Sequence, residues 1–146
     1  MQSVSVYLRD AAYFVVVIHG SGGGDPCIAS GPVTTLPANA DSRSLGGAIL
    51  AALSQSTHSV PWPADWKKVT EPLLLAAKAK TWSAFARRAT NARVDRTSQE
   101  VSVRHCLRDK ASFVGLPDKV TRLTAPDAAS VGAVVAASLS VNHQAS

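Results

Sequence analysis

The stretch Trp82–Leu123, WSAFARRATNARVDRTSQEVSVRHCLRDKASFVGLPDKVTRL, decides the fold. It opens on a turn of helix anchored by Trp82 and Phe85, spaced i,i+3. Three strand-like runs follow, Ala92–Asp95, Glu100–Cys106 and Ser112–Leu116, and then a short run Lys119–Leu123. Val101, Val103 and His105 alternate with Ser102, Arg104 and Cys106, which is the period of a strand with two unlike faces. Leu116-Pro117-Asp118-Lys119 is expected to turn the chain, because proline presets φ and aspartate can bond the backbone just beyond it. The stretch therefore predicts a β-meander with a basic surface, and it carries no catalytic signature.

Toward the N-terminus, Ser3–Arg9 and Ala12–His19 read as two strands joined at Arg9-Asp10-Ala11. Tyr13–Ile18 is apolar on both faces and belongs at the centre of a sheet. Gly20–Gly24 and Pro26 break the pattern, and Ala29–Leu36 resumes a strand after Gly31-Pro32. A helix follows, capped by Asp41 or Ser42, with Leu45, Ile49 and Leu53 forming its apolar stripe. Thr57–Pro63 is a linker, and Asp65 caps a segment restarted at Pro72 that runs Leu73–Lys80.

The C-terminal part repeats the N-terminal part. Val33-Thr34 and Leu36 match Val120-Thr121 and Leu123, while Ser44, Leu45, Gly46, Ile49 and Leu53 match Ser130, Val131, Gly132, Val135 and Leu139. Asp127 is the expected cap of this second helix, and the tail after Leu139 is polar. The pattern predicts a single α+β domain over 1–146: antiparallel β-meanders with packed helices. It also predicts an internal duplication of a strands-then-helix unit, with halves at about 1–56 and 82–140 and a helical linker at 57–81.

At 146 residues, 46% hydrophobic and 17% charged, the chain has a folded globular composition. No apolar run reaches the ~18–20 residues of a membrane span. The first residues lack a secretory leader's pattern, since Arg9 and Asp10 interrupt early, so a cytoplasmic protein with no membrane partner is expected. Net charge is +5. Residues 78–110 hold nine bases against three acids, whereas the remainder holds six bases against seven acids. The basic excess thus sits in the central segment, where it would attract a polyanion or an acidic protein surface, or simply solvate one face.

The residues bear on several chemistries. Cys27 and Cys106 lack metal spacing and read as small buried hydrophobes rather than a disulfide. His19, His58, His105 and His143 share no ligand spacing, which argues against zinc. The loop from His19 through Gly24 resembles an esterase oxyanion loop, but no Gly-x-Ser-x-Gly elbow accompanies it. It lacks equally the lysine and Ser/Thr of a P-loop. A ribonuclease pair of His19 and His105 has no spacing to bring it together. Asp95 and Glu100 flank a hairpin tip. No constellation supports an enzyme, a cofactor or a small-molecule substrate. A basic RNA-binding module is the alternative, although Trp82 and Phe85 at i,i+3 suit a core better than a base-stacking platform.

Taken together, these pieces resemble the immunity proteins of bacterial contact-dependent growth inhibition systems, the CdiI type. The residues that carry the resemblance are Ser44-Leu45-Gly46 with Ile49–Ser54, Thr81–Phe85, Phe113–Lys119 and the Ser130-Val131-Gly132 helix, spanning roughly 33–140. The resemblance implies a non-catalytic protein that binds the cognate C-terminal toxin domain (CdiA type) of a large exported effector, often a nuclease. The site expected for it is the basic set Arg87, Arg88, Arg93, Arg96, Arg104, Arg108 and Lys110, facing an acidic surface of the toxin. An inhibitor mimicking nucleic acid would be acidic, and this segment is not.

Overall fold

The computed structural model describes residues 1–22 and 28–140. Its elements run β1 (Gln2–Arg9), β2 (Ala12–His19), β3 (Ile28–Pro37), α1 (Ser42–Leu53), α2 (Trp66–Ala77), α3 (Trp82–Arg87), β4 (Ala89–Thr97), β5 (Glu100–Asp109), β6 (Ser112–Thr124) and α4 (Ala128–Ser140). The six strands form one antiparallel sheet in the order β3-β2-β1-β4-β5-β6. Both three-strand runs end in a helix, and the two runs meet along β1 and β4, with Val4 opposite Val94 and Val6 opposite Ala92.

Strand periodicity divides the core between the two faces. On one face, Val4, Val6, Val15, Val17, Ala92, Val94, Val101 and Val103 meet the stripes of α1 and α4. On the other, Tyr7, Phe14, Val16 and Ala89 pack against Leu73 of α2 and Phe85 of α3. Tyr13–Ile18 is buried throughout, as its two apolar faces predict.

α1 and α4 cross with their backbones in contact. A Cβ on Gly46 would stand 1.7 Å from the carbonyl oxygen of Ala128, and one on Gly132 would stand 1.8 Å from that of Ser42. Only glycine fits at either position. The two helices begin alike: Asp41 accepts from the Ser44 N–H at 2.7 Å and Asp127 from the Ser130 N–H at 2.8 Å.

These caps are pH-sensitive. The Ser44 backbone N–H holds the Asp41 carboxyl below the usual carboxylate range, and the Ser130 hydroxyl does the same for Asp127. A depressed folded pKa contributes stability above the unfolded value of about 4, and that contribution disappears as pH falls through the folded value. Asn at both positions still caps but does not titrate. The Asp41→Asn, Asp127→Asn protein is therefore expected to lose stability less steeply below about pH 4 in acid unfolding followed by circular dichroism. An unchanged slope would contradict this.

Three local expectations need correction. Leu116–Lys119 does not turn the chain. Cys106 pairs with Gly115 and Arg104 with Val120, so the segment is a bulge inside β6. An edge strand tolerates Pro117 there because no neighbour needs its missing N–H. Pro72 does not restart α2 but lies within it, and the helix ends at Ala77, short of Lys80, where Lys78 adopts φ 56°. Pro32 likewise leaves β3 unbroken from Ile28 to Pro37. Among the described residues, no helix is long and apolar enough to cross a membrane.

Candidate functional site

α2 and α3 cover only part of their face of the sheet. The uncovered part is a groove of about 780 Å³ over β1, β4, β5 and β6. Its floor follows from strand parity: the residues that alternate with the valines of the other face point into it. From β1 come Ser5 and Tyr7, from β4 Asn91, Arg93 and Asp95, and from β5 Ser102, Arg104 and Cys106. Trp82 and Phe113 bound one end.

The β1 and β4 side of the floor is internally satisfied. Asn91 is buried and donates through Nδ2 to Ser5 Oγ at 2.7 Å and to the Val6 carbonyl at 3.0 Å. Tyr7 bonds Ser5, and burial pushes its phenol up. Arg93 Nε donates to Asp95 Oδ1 at 3.1 Å, and Ser3 Oγ bonds the same oxygen. On the rim, Arg122 meets Glu100 at 3.6 Å. Arg104 differs: its Nε is buried and has no hydrogen-bond partner. Its stem lies across Gly115, where a Cβ would come within 2.6 Å of the arginine Cδ.

The seven cationic residues singled out in the sequence do not form one patch. Arg93 and Arg104 lie opposite each other in the groove. Arg96, three residues along β4 from Arg93, faces the other side and donates to Gln2 Oε1 from Nε at 2.9 Å and from the terminal nitrogen at 2.6 Å. The remaining four gather at the far end of the sheet. Arg88 bonds Asp10 at 2.6 Å, Arg108 donates to the Arg87 carbonyl at 2.7 Å, and Lys110 opens the β5–β6 turn. Sequence reasoning missed Ser5, Asn91 and Gly115. The even spacing of Ser102, Arg104 and Cys106 marked one shared face, and the odd spacing of Arg93 and Arg96 marked two.

Three strand spacings separate His19 on β2 from His105 on β5, at least about 14 Å. His105 donates from Nδ1 to the Ser138 carbonyl at 2.9 Å under α4, and His19 Nδ1 accepts from the Thr57 N–H at 3.2 Å. Gly20 is tied to 57–60 through bonds with Thr57 and Val60, while Gly23 and Gly24 lie outside the described residues. Cys27 and His143 lie outside them too. Burial raises the thiol of Cys106. Phe85 is fully buried and stacks with centroids 5.3 Å apart on Trp82, which is half-buried at the end of the groove, so Phe85 is core and Trp82 is not.

No family model matches the chain, and no curated protein matches it in sequence. Solved structures do match in fold. A Neisseria meningitidis protein of unknown function superposes with TM-score 0.79 at 18% identity, covering 95% of this chain and 93% of that one. A chain of a CdiA-CT/CdiI toxin and immunity complex from Yersinia pseudotuberculosis superposes with TM-score 0.78 at 14% identity, covering 95% of each. The class defined is therefore an α+β domain that shares its fold with a chain of that toxin and immunity complex.

Proposed function

We propose that this chain is an immunity protein. It binds and neutralises the C-terminal toxin domain, a nuclease, of a contact-dependent growth inhibition effector, and it does so in the cytoplasm by binding alone, without turnover. The observation that carries the reading is the shared fold over 95% of both chains with a member of a toxin and immunity complex. Two features of the chain support it further. The groove is open and lined by fixed polar groups, as suits recognition of a protein surface, and its charge is selective, which favours one partner over others.

The toxin contact is assigned to Arg93 and Arg104 in the groove, with Arg87, Arg88, Arg108 and Lys110 at its far end steering approach. Arg96, spent on Gln2 across the sheet, contributes least. Reversing both Arg104 and Arg108 to glutamate is expected to raise the dissociation constant at least tenfold, about 1.4 kcal/mol, in titration against the toxin domain encoded immediately upstream. Unchanged affinity would remove the assignment.

We also read 1–56 and 82–140 as copies of one unit joined by 57–81. The matched Asp41 and Asp127 caps and the reciprocal contacts of Gly46 and Gly132 support that reading.

A further inference from the structure

The groove holds three arginines and two acids, and two of the arginines are committed to those acids. Asp95 takes Arg93, and Glu100 takes Arg122. Arg104 remains. A guanidinium Nε removed from water without an acceptor costs free energy that a ligand oxygen would return. The Arg104 stem also lies where a Cβ at Gly115 would meet its Cδ at 2.6 Å, so a side chain there would push it from this position. Two residues before Gly115 on the same face of β6 stands Phe113, edge-on to Trp82 with centroids 6.3 Å apart. Trp82 is fixed in turn by its indole N–H, which donates to the Ala111 carbonyl. A cationic fork thus lies beside a rigid aromatic shelf.

We propose that Arg104 is the carboxylate-receiving residue of the groove, and that the partner presents there an Asp or Glu side chain next to an apolar one lying on Trp82 and Phe113. This deepens the immunity reading and rests on it for the source of the acidic segment. The Nε–H is buried in the unbound protein, so a carboxylate reaches it as the stem turns toward the groove, where a planar fork matches a single carboxylate. A nucleic-acid backbone would need a row of free cations, whereas Asp95 and Glu100 would repel it. The groove charge favours one acid on a protein.

The test uses nuclear magnetic resonance of the Arg104 Nε–H with defined probes: N-acetyl-Asp-Phe-amide, N-acetyl-Asn-Phe-amide, inorganic phosphate and a short single-stranded RNA. A saturable shift with the Asp peptide is expected, at least about tenfold weaker with the Asn peptide and with phosphate. Arg104→Lys keeps the charge but removes the Nε–H, and Gly115→Ala displaces the stem while keeping the arginine. Followed by the Trp82 indole N–H, which both variants keep, each should weaken the Asp peptide about tenfold with the melting transition retained. No Arg104 shift, equal binding of the Asn peptide, or tighter binding of phosphate or RNA would overturn the proposal. Should the upstream toxin domain bind the native protein and Arg104→Lys equally well, this inference fails and the immunity reading stands. Should the toxin domain not bind at all while the Asp peptide does, the reverse holds.

Discussion

Replacing Gly46 with alanine is expected to destabilise the protein by about 3 kcal/mol and lower its melting temperature by about 10 °C. The same change at the adjacent Gly47 should stabilise it by about 0.5–1 kcal/mol. Both glycines sit inside α1, where alanine is intrinsically the better helix former. What separates them is space. A Cβ at Gly47 meets nothing within 4 Å, whereas at Gly46 it lands 1.7 Å from the Ala128 carbonyl oxygen and 2.9 Å from the Gly132 nitrogen. Backbone atoms of α4 cannot rotate away as a side chain can, so the two helices would have to separate along their length. That would loosen Leu45, Ile49, Val131 and Val135, all buried between the helices and the sheet. Gly132→Ala should cost as much, since its Cβ meets the Ser42 carbonyl at 1.8 Å. Thermal unfolding of the three variants checks this. Equal effects at Gly46 and Gly47 would mean that the helices do not cross where described.

Truncation of Phe85 to alanine should cost about 3–5 kcal/mol, a large share of the roughly 5–15 kcal/mol that holds a domain folded. Phe85 is fully buried and meets Tyr7 and Phe14 edge-on at 5.2 and 6.1 Å. Its ring stacks on Trp82, and the Arg9 guanidinium lies 5.6 Å from its centroid. α3 has only six residues, too few to persist without packing. Losing its anchor would free the helix and, with it, the aromatic shelf of the groove. Phe85→Leu, which refills most of the volume, should lose markedly less in urea unfolding. A loss below about 1.5 kcal/mol for the alanine variant would contradict the packing described.

The elements that the sequence made legible are those whose signal is local and physical. Tyr13–Ile18 is apolar on both faces, so it had to be interior, and Asp41, Asp65 and Asp127 each precede a stripe at helical period and each cap a helix. Val101, Val103 and His105 face the core as their alternation requires. The illegible parts are those where tertiary context overrides local preference. All three two-residue hairpin turns begin at positive φ without glycine, at Asp10, Ser98 and Lys110. Proline normally ends an element, yet Pro72 stays inside α2, and Pro117 becomes a bulge because the strand that carries it lies at the sheet edge.

The groove was half legible. Strand parity alone places Arg93 and Arg96 on opposite faces, so the basic segment could not form one surface. Arg104 reaches Arg93 only through the register set by the Ser98-Gln99 turn. Nothing local indicates that α2 and α3 stop short of covering the floor between Ser5 and Arg104, and that omission is what leaves a site.

The immunity reading is tested most directly by growth. The toxin domain encoded immediately upstream is induced in cells with and without this protein, and viable counts are followed alongside co-purification from the same cultures. The account predicts arrest by the toxin alone, restored growth when the protein is co-expressed, and a stable complex. Arrest undiminished by the protein, with no complex recovered, would contradict it.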